Sequence, residues 1–352
     1  MSLKAAWASY LLEFRFKAIT SRETMIVKPT YFVKVWDDEN PDVYAVEEAN
    51  LFRGLSVDDC PDYEQRLTQA CRDISNFDED PEVIEFPSIH FGIETALADL
   101  RNGGCMQPFP SDWSRGRGSL TINGLVWMGS IEDMTRRVAE KLEAGFRCIK
   151  LKIGGQDFNR EVDILRAIRK RFSPSELEIR LDANGAFPVD QALERLDVLS
   201  QFGIHSIEQP IRQGQWQEMA RICRQSLIPI ALDEELIGRF SDADRREMLR
   251  TIRPAYIILK PALIGGFAAA ERWIQIAREE NVRWWATSAL ESNIGLNAIA
   301  QWTATQNVTI PQGLGTGALY TNNIQSPLTL HSDQLSYNPS VKWNIPSLKW
   351  NL

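Results

Sequence analysis

Histidine is scarce in this sequence. Only His90, His205 and His331 occur in 352 residues, and none stands near a cysteine at ligand spacing, which argues against a zinc site. The five cysteines are odd in number, scattered and without a CxxC pair. Neither a disulfide framework nor a redox motif is indicated, and reduced thiols in the cytoplasm are the expectation. No run of eighteen apolar residues is present, so no membrane span is expected. Basic excess is missing too: a net charge of −8 leaves no basic face for nucleic acid. The start, MSLKAAWASYLLEFRF, carries Glu13 and Arg15 and lacks a small-residue cleavage site, so it reads as a strand and not as a signal peptide. What is there, 44% apolar and 24% charged residues, suits a globular chain of one barrel-sized domain and a smaller one.

The first hundred residues predict a strand meander (YLLEFRF, TYFVKVWD, VYAVEEA) followed by two helices, DYEQRLTQACRDI and SIHFGIETALADL. Residues 101–118 are dense in Gly, Pro and Ser and read as a junction. Residues 1–115 are therefore expected to form an α+β capping domain and 116–325 a second domain, with the tail 326–352 returning to the first. Beyond the junction, strands and helices alternate. LTINGLVW precedes a helix with Ser130 at its N-cap, Met134, Val138 and Leu142 on its apolar stripe, and Gly145 at its stop. Eight strands and seven helices follow in units of about 25–30 residues, ending at TIPQGL, the pattern of an α/β TIM-type barrel.

Ionisable residues fall at successive strand ends. CIKLKIG carries Lys150 and Lys152, RLDAN carries Asp182 and Asn184, IEQP carries Glu208, LDEE carries Asp233 and Glu234, and ILKP carries Lys260. The C-terminal ends of barrel strands are where active sites are built. Side chains alternate along a strand, so Lys150 and Lys152 share a face about 6–7 Å apart. Glu234 points to the other face if its strand persists.

Three carboxylates converging in a low-dielectric pocket repel unless protonated or bound to a cation. An all-oxygen set with room for water and substrate suits Mg²⁺, with Mn²⁺ as a substitute. A neighbouring ammonium, burial and a divalent cation would each lower a lysine pKa towards that of a usable base. Lys152, nearer the strand end, faces substrate; Lys150 lies one pleat deeper, and Lys260 arrives from across the barrel. The set suits removal of a proton next to a carboxylate of a small-molecule substrate. The alternative, a metal-free buried salt-bridge network, carries the desolvation cost of six ionic groups.

The motifs KLKIGG, DANGAF, IEQP, LDEEL and ILKPALIGG, in this order and spacing, resemble the muconate-lactonizing branch of the enolase superfamily. Superfamily sites in general use a Lys or His base with Mg²⁺. The resemblance spans nearly the whole chain and implies a modified barrel with a capping domain built from both chain ends. It implies Asp182, Glu208 and Asp233 as Mg²⁺ ligands, Lys152 and Lys260 as the catalytic lysines, Lys150 as the partner of Lys152, and Asn184 as a polar neighbour. Within the branch, the early loop AITSRETMIVKPTYFV and SALESNIGLNAIAQW are similar to the o-succinylbenzoate synthase family of menaquinone biosynthesis. That likeness implies a cytoplasmic dehydratase in which Ser21, Arg22 and Ser288, with the N–H groups of the helix start after Ser288, contact substrate carboxylates. N-succinylamino acid racemase shares the pocket and both lysines. Dipeptide epimerases would need an Asp-x-Asp that GLGTGALY lacks. A non-catalytic metal-binding scaffold is the alternative of another class. Members of the branch often form oligomers.

Overall fold

The computed structural model describes residues 2–19, 24–77 and 85–352. An antiparallel meander comes first, β1 (Leu3–Ile19), β2 (Thr24–Asp37) and β3 (Asn40–Ala49), then helices α1 (Tyr63–Arg72) and α2 (Pro87–Arg101). Period-two alternation sends Trp7, Tyr31, Val33 and Val35 to one face, where they bury against Leu67 of α1 and Ile93 and Leu97 of α2. α2 crosses β3 so closely that a Cβ at Gly92 would stand 2.9 Å from Ala49 Cα. The opposite face carries Phe32 and Val46.

After a short strand β4 (Leu120–Thr121), the alternating region runs β5 (Gly124–Val126), α3 (Ile131–Glu143), β6 (Cys148–Lys152), α4 (Phe158–Arg169), β7 (Glu178–Asp182) and α5 (Ala192–Ser200). It continues β8 (Ser206–Glu208), α6 (Trp216–Gln225), β9 (Ile230–Leu232), α7 (Asp242–Ile252), β10 (Tyr256–Leu259), α8 (Pro261–Ile264), α9 (Phe267–Glu279), β11 (Arg283–Ala286) and α10 (Asn293–Thr305). Strands β5 to β11 form one parallel sheet in chain order. The eighth strand expected at TIPQGL shrinks to two residues: Gln312 bridges Ile122 on one side, and Gly313 bridges Thr287 on the other. That closes the sheet into a modified barrel with helices outside.

Local signals in the sequence act as anticipated at α3. The Ser130 side chain accepts from Asp133 N–H, Met134 and Val138 are buried, and Gly145 takes φ +91° past the helix end. The tail divides. Its hairpin, β12 (Leu328–His331) with β13 (Gln334–Tyr337), pairs through β13 with β4 beside the barrel, where the sequence placed the whole tail on the first domain. Only the stretch from Trp343 onward reaches the meander: Trp343, Ile345, Leu348 and Trp350 cover Phe32 and Val46, and Asn351 bridges Trp7. Among the described residues no helix is long and apolar enough to cross a membrane.

Candidate active site

Strand register aligns the charges. Lys152 of β6 is the Cα partner of Asp182 of β7, which is the partner of Glu208 of β8. Asp233 follows the last residue of β9 and Lys260 the last residue of β10. All six ionic side chains are buried. Lys150 Nζ donates to Asp182 Oδ2 at 2.8 Å and to Glu208 Oε2 at 2.6 Å. Lys152 Nζ donates to the same Asp182 oxygen at 2.6 Å and to Asn184 Oδ1 at 2.8 Å. Lys260 Nζ contacts Asp233 Oδ2 and lies 3.9 Å from Glu208 Oε1. Shared ammonium groups thus link Asp182 to Glu208 and Glu208 to Asp233.

The lysines differ in kind. Lys152 is held below its ordinary pKa, chiefly by burial, with the Lys150 and Lys260 ammonium groups adding to it against the pull of Asp182. Lys150 is raised: burial works against its charge, but Asp182, Glu208 and Asp233 together outweigh it. Lys260 is raised too, burial being outweighed by Asp233 and Glu208. Of the three, Lys152 is the one poised to lose its proton.

Above the lysines lies a pocket that opens to solvent. Met25, Phe52 and Leu55 wall it from the N-terminal part, and Trp127, Leu263 and Leu290 from the barrel. Among the described residues the charged side chains in its lining are Lys150, Lys152 and Lys260, set within apolar walls, which suits an organic anion. Asn184 and Ser288 also line it. Ser288 Oγ meets Thr316 Oγ1 at 2.9 Å, and Ser292 is the N-cap of α10.

Three expectations need correction or limits. The N–H groups at the start of α10 are not open to a substrate anion: Ser292 and Gly295 donate to Glu48 of β3, and Asn293 donates to Asn323 Oδ1. A carboxylate of this chain already occupies the positive helix end. Glu234 does not turn away, because β9 stops at Leu232 and the chain enters a tight turn; Glu234 Oε1 accepts from Asn184 Nδ2 at 3.0 Å. Ser21 and Arg22 lie outside the described residues. His205 packs on Tyr256 and Trp285, His90 is buried on α2, and His331 is exposed. Sequence reading missed the apolar walls from the N-terminal part, since a Met, Phe or Leu there looks like any core residue.

As arranged, no group of three His, Cys, Asp or Glu side chains among the described residues forms a ready metal cage, because ammonium groups stand between the carboxylates. The donor set nevertheless fits a hard divalent cation. Glu208 Oε1 is buried without a hydrogen-bond partner. Burial, then the Asp182 and Asp233 charges, push the Glu208 carboxyl well above the ordinary range against the pull of Lys150. A cation shared by the three would relieve that repulsion.

Residues 133–334 match the family model of the enolase C-terminal domain-like fold. The chain is 45% identical to o-succinylbenzoate synthase of Desulfotalea psychrophila, over 91% of this chain and 95% of that one. The crystal structure of MenC from the same organism superposes with a TM-score of 0.84 at 42% identity, covering 96% of this chain and all of that one. An N-succinylamino acid racemase of Thermus thermophilus is 32% identical, over 47% of this chain and 42% of its own length.

Proposed function

The chain belongs to the enolase superfamily, and from that premise we propose that it is a hydro-lyase of the o-succinylbenzoate synthase type. It would convert 2-succinyl-6-hydroxy-2,4-cyclohexadiene-1-carboxylate to o-succinylbenzoate and water, in the cytoplasm, as a step of menaquinone biosynthesis. The observation that carries the reading is the 45% identity to a synthase over 91% of the chain, where likeness to N-succinylamino acid racemases stands at 28% over 59% and 32% over 47%.

Neutral Lys152 Nζ takes the proton from the carbon bearing the substrate carboxylate, and the C–H electron pair moves into that carboxylate as an enediolate. The pair then returns to form the ring double bond, the C–OH bond breaks, and the Lys152 ammonium delivers its proton to the departing hydroxide. The ring becomes aromatic and Lys152 is neutral again. Lys260, whose Nζ contacts Asp233 Oδ2, supplies fixed positive charge to the anion without moving a proton. Asp182, Glu208 and Asp233 would hold Mg²⁺, or Mn²⁺ in its place, which when bound supplies Lewis-acid stabilisation of the charge on the carboxylate. Asn184, tied to Glu234, orients the Lys152 ammonium. Ser288, with Ser21 and Arg22 from the early loop, completes contact with the succinyl group.

A racemase would need Lys260 as a second base on the face of the substrate opposite Lys152. The deciding experiment assays both reactions on the purified chain with Mg²⁺. Dehydration is expected, with racemisation of N-succinylamino acids slower or absent; racemisation without dehydration overturns the proposal. Lys152→Ala should lower dehydration about 10²–10⁴-fold and remove proton exchange at the α-carbon in D₂O. A parent protein with no such exchange would be a scaffold.

A further inference from the structure

Thr287, Ser288, Ala289 and Leu290, which follow β11, all line the cavity. Their backbone makes a turn that an ordinary side chain resists, with Leu290 at φ +63°. A non-glycine residue keeps this left-handed conformation only where its surroundings impose it. Three side chains impose it here. Glu291 Oε2 accepts from Ala289 N–H at 2.6 Å, and Glu291 Oε1 accepts from Asn50 Nδ2 at 2.8 Å. Asn50 Nδ2 also donates to Ala289 C=O at 3.0 Å, and the Tyr320 hydroxyl donates to Leu290 C=O at 2.7 Å. Asn50 is anchored in turn by Lys28 Nζ, which donates to its Oδ1. Lys28, Asn50, Glu291 and Tyr320 are all buried, and none of them lines the cavity.

We propose that Glu291 and Asn50 are positioning residues for substrate binding, locking the turn at Ala289–Leu290 so that Ser288, Ala289 and Leu290 present a fixed wall to the non-reacting part of the substrate. The identity of that substrate rests on the functional reading above; the clamp itself rests on the hydrogen bonds. Carboxylate and carboxamide suit the task. Each carboxylate oxygen takes one N–H, while the amide grips Lys28 with its oxygen and the turn with its nitrogen. A wall that contacts substrate equally before and during reaction contributes uniform binding, so loosening it raises KM and leaves kcat alone.

Steady-state kinetics and backbone hydrogen exchange on the full-length protein test this. Glu291→Ala and Asn50→Ala should each raise KM about tenfold, the factor for one buried hydrogen bond, with kcat within about twofold of the parent. The double variant should be no worse than the poorer single, because the two residues act as a unit. Exchange at Ala289 N–H, slow in the parent, should become fast. Tyr320→Phe keeps the ring and loses one hydrogen bond; it should raise KM by a smaller factor, and it decides the matter if an alanine variant does not fold. An unchanged KM with a lowered melting temperature would make the network merely structural and overturn the proposal, as would a fall in kcat with KM unchanged. A parent protein that leaves the cyclohexadiene carboxylate untouched overturns the functional reading instead. Exchange at Ala289 then decides the clamp alone: faster exchange in the variants upholds it, and unchanged exchange overturns it.

Discussion

Gln209 shows how much one side chain beside the charged row can do. It stands between Glu208 and Pro210, fully buried, at φ +41°. Its carbonyl oxygen accepts from the N–H groups of Asp233 and Glu235, and its amide nitrogen donates to Ile211 C=O at 3.1 Å. The end of β8 therefore templates the turn that carries Asp233 and Glu234. Gln209→Leu would keep the volume and leave those backbone groups unpaired, costing about 1–3 kcal/mol for each group left unsatisfied. On the proposed reading, in which Asp233 helps to hold Mg²⁺, it should also weaken Mg²⁺ activation about 10–100-fold, the usual effect of losing a residue that orients a metal ligand. Thermal unfolding together with a Mg²⁺ titration of dehydration checks both. A loss of stability with unchanged Mg²⁺ dependence would contradict the templating role.

At the scale of elements, α4 holds the segment that follows Lys152. Glu161 of α4 is buried and accepts from Gly154 N–H at 2.8 Å and Gln156 N–H at 3.2 Å. Burial pushes its carboxyl up to about 7, against those donors. A carboxyl raised above its ordinary 4.5 binds its proton more tightly in the folded state, so its contribution is full below about pH 4.5 and is lost as pH rises through about 7. Melting temperatures of the parent relative to Glu161→Gln should therefore fall across that window; a flat difference would refute the shift. Charges at strand ends were legible because β6 to β10 repeat one local pattern, and the spacing 182, 208, 233, 260 needs no knowledge of the fold. Glu291 was not legible, since its partner Asn50 lies 241 residues away. Nor was the turn after Leu232, because Gln209 on the neighbouring strand specifies it. Helix starts misled for the same reason: Glu48 on α10 is a distant contact that no local motif announces.

Across the whole molecule, the N-terminal part and the barrel are interlocked by carboxylates. Glu48 occupies the start of α10, and Glu94 of α2 accepts from Phe267 and Ala268 N–H at the start of α9, at 2.6 and 2.8 Å. The tail adds an apolar cover through Trp343, Ile345, Leu348 and Trp350. Removing residues 343–352 should cost on the order of 1 kcal/mol for each of these half-buried side chains. Urea unfolding of the truncated chain measures that loss, and an unchanged midpoint would show that the cover contributes nothing. The ring itself is unevenly fastened. Between β11 and the start of β5, among the described residues, only Gln312 and Gly313 bridge, through backbone hydrogen bonds to Thr121, Asn123, Ala286 and Ser288. A hoop with so short a clasp parts there first under heat or pull, and because Gly313 also borders the cavity, the earliest rupture would spill the reaction chamber before the other staves separate.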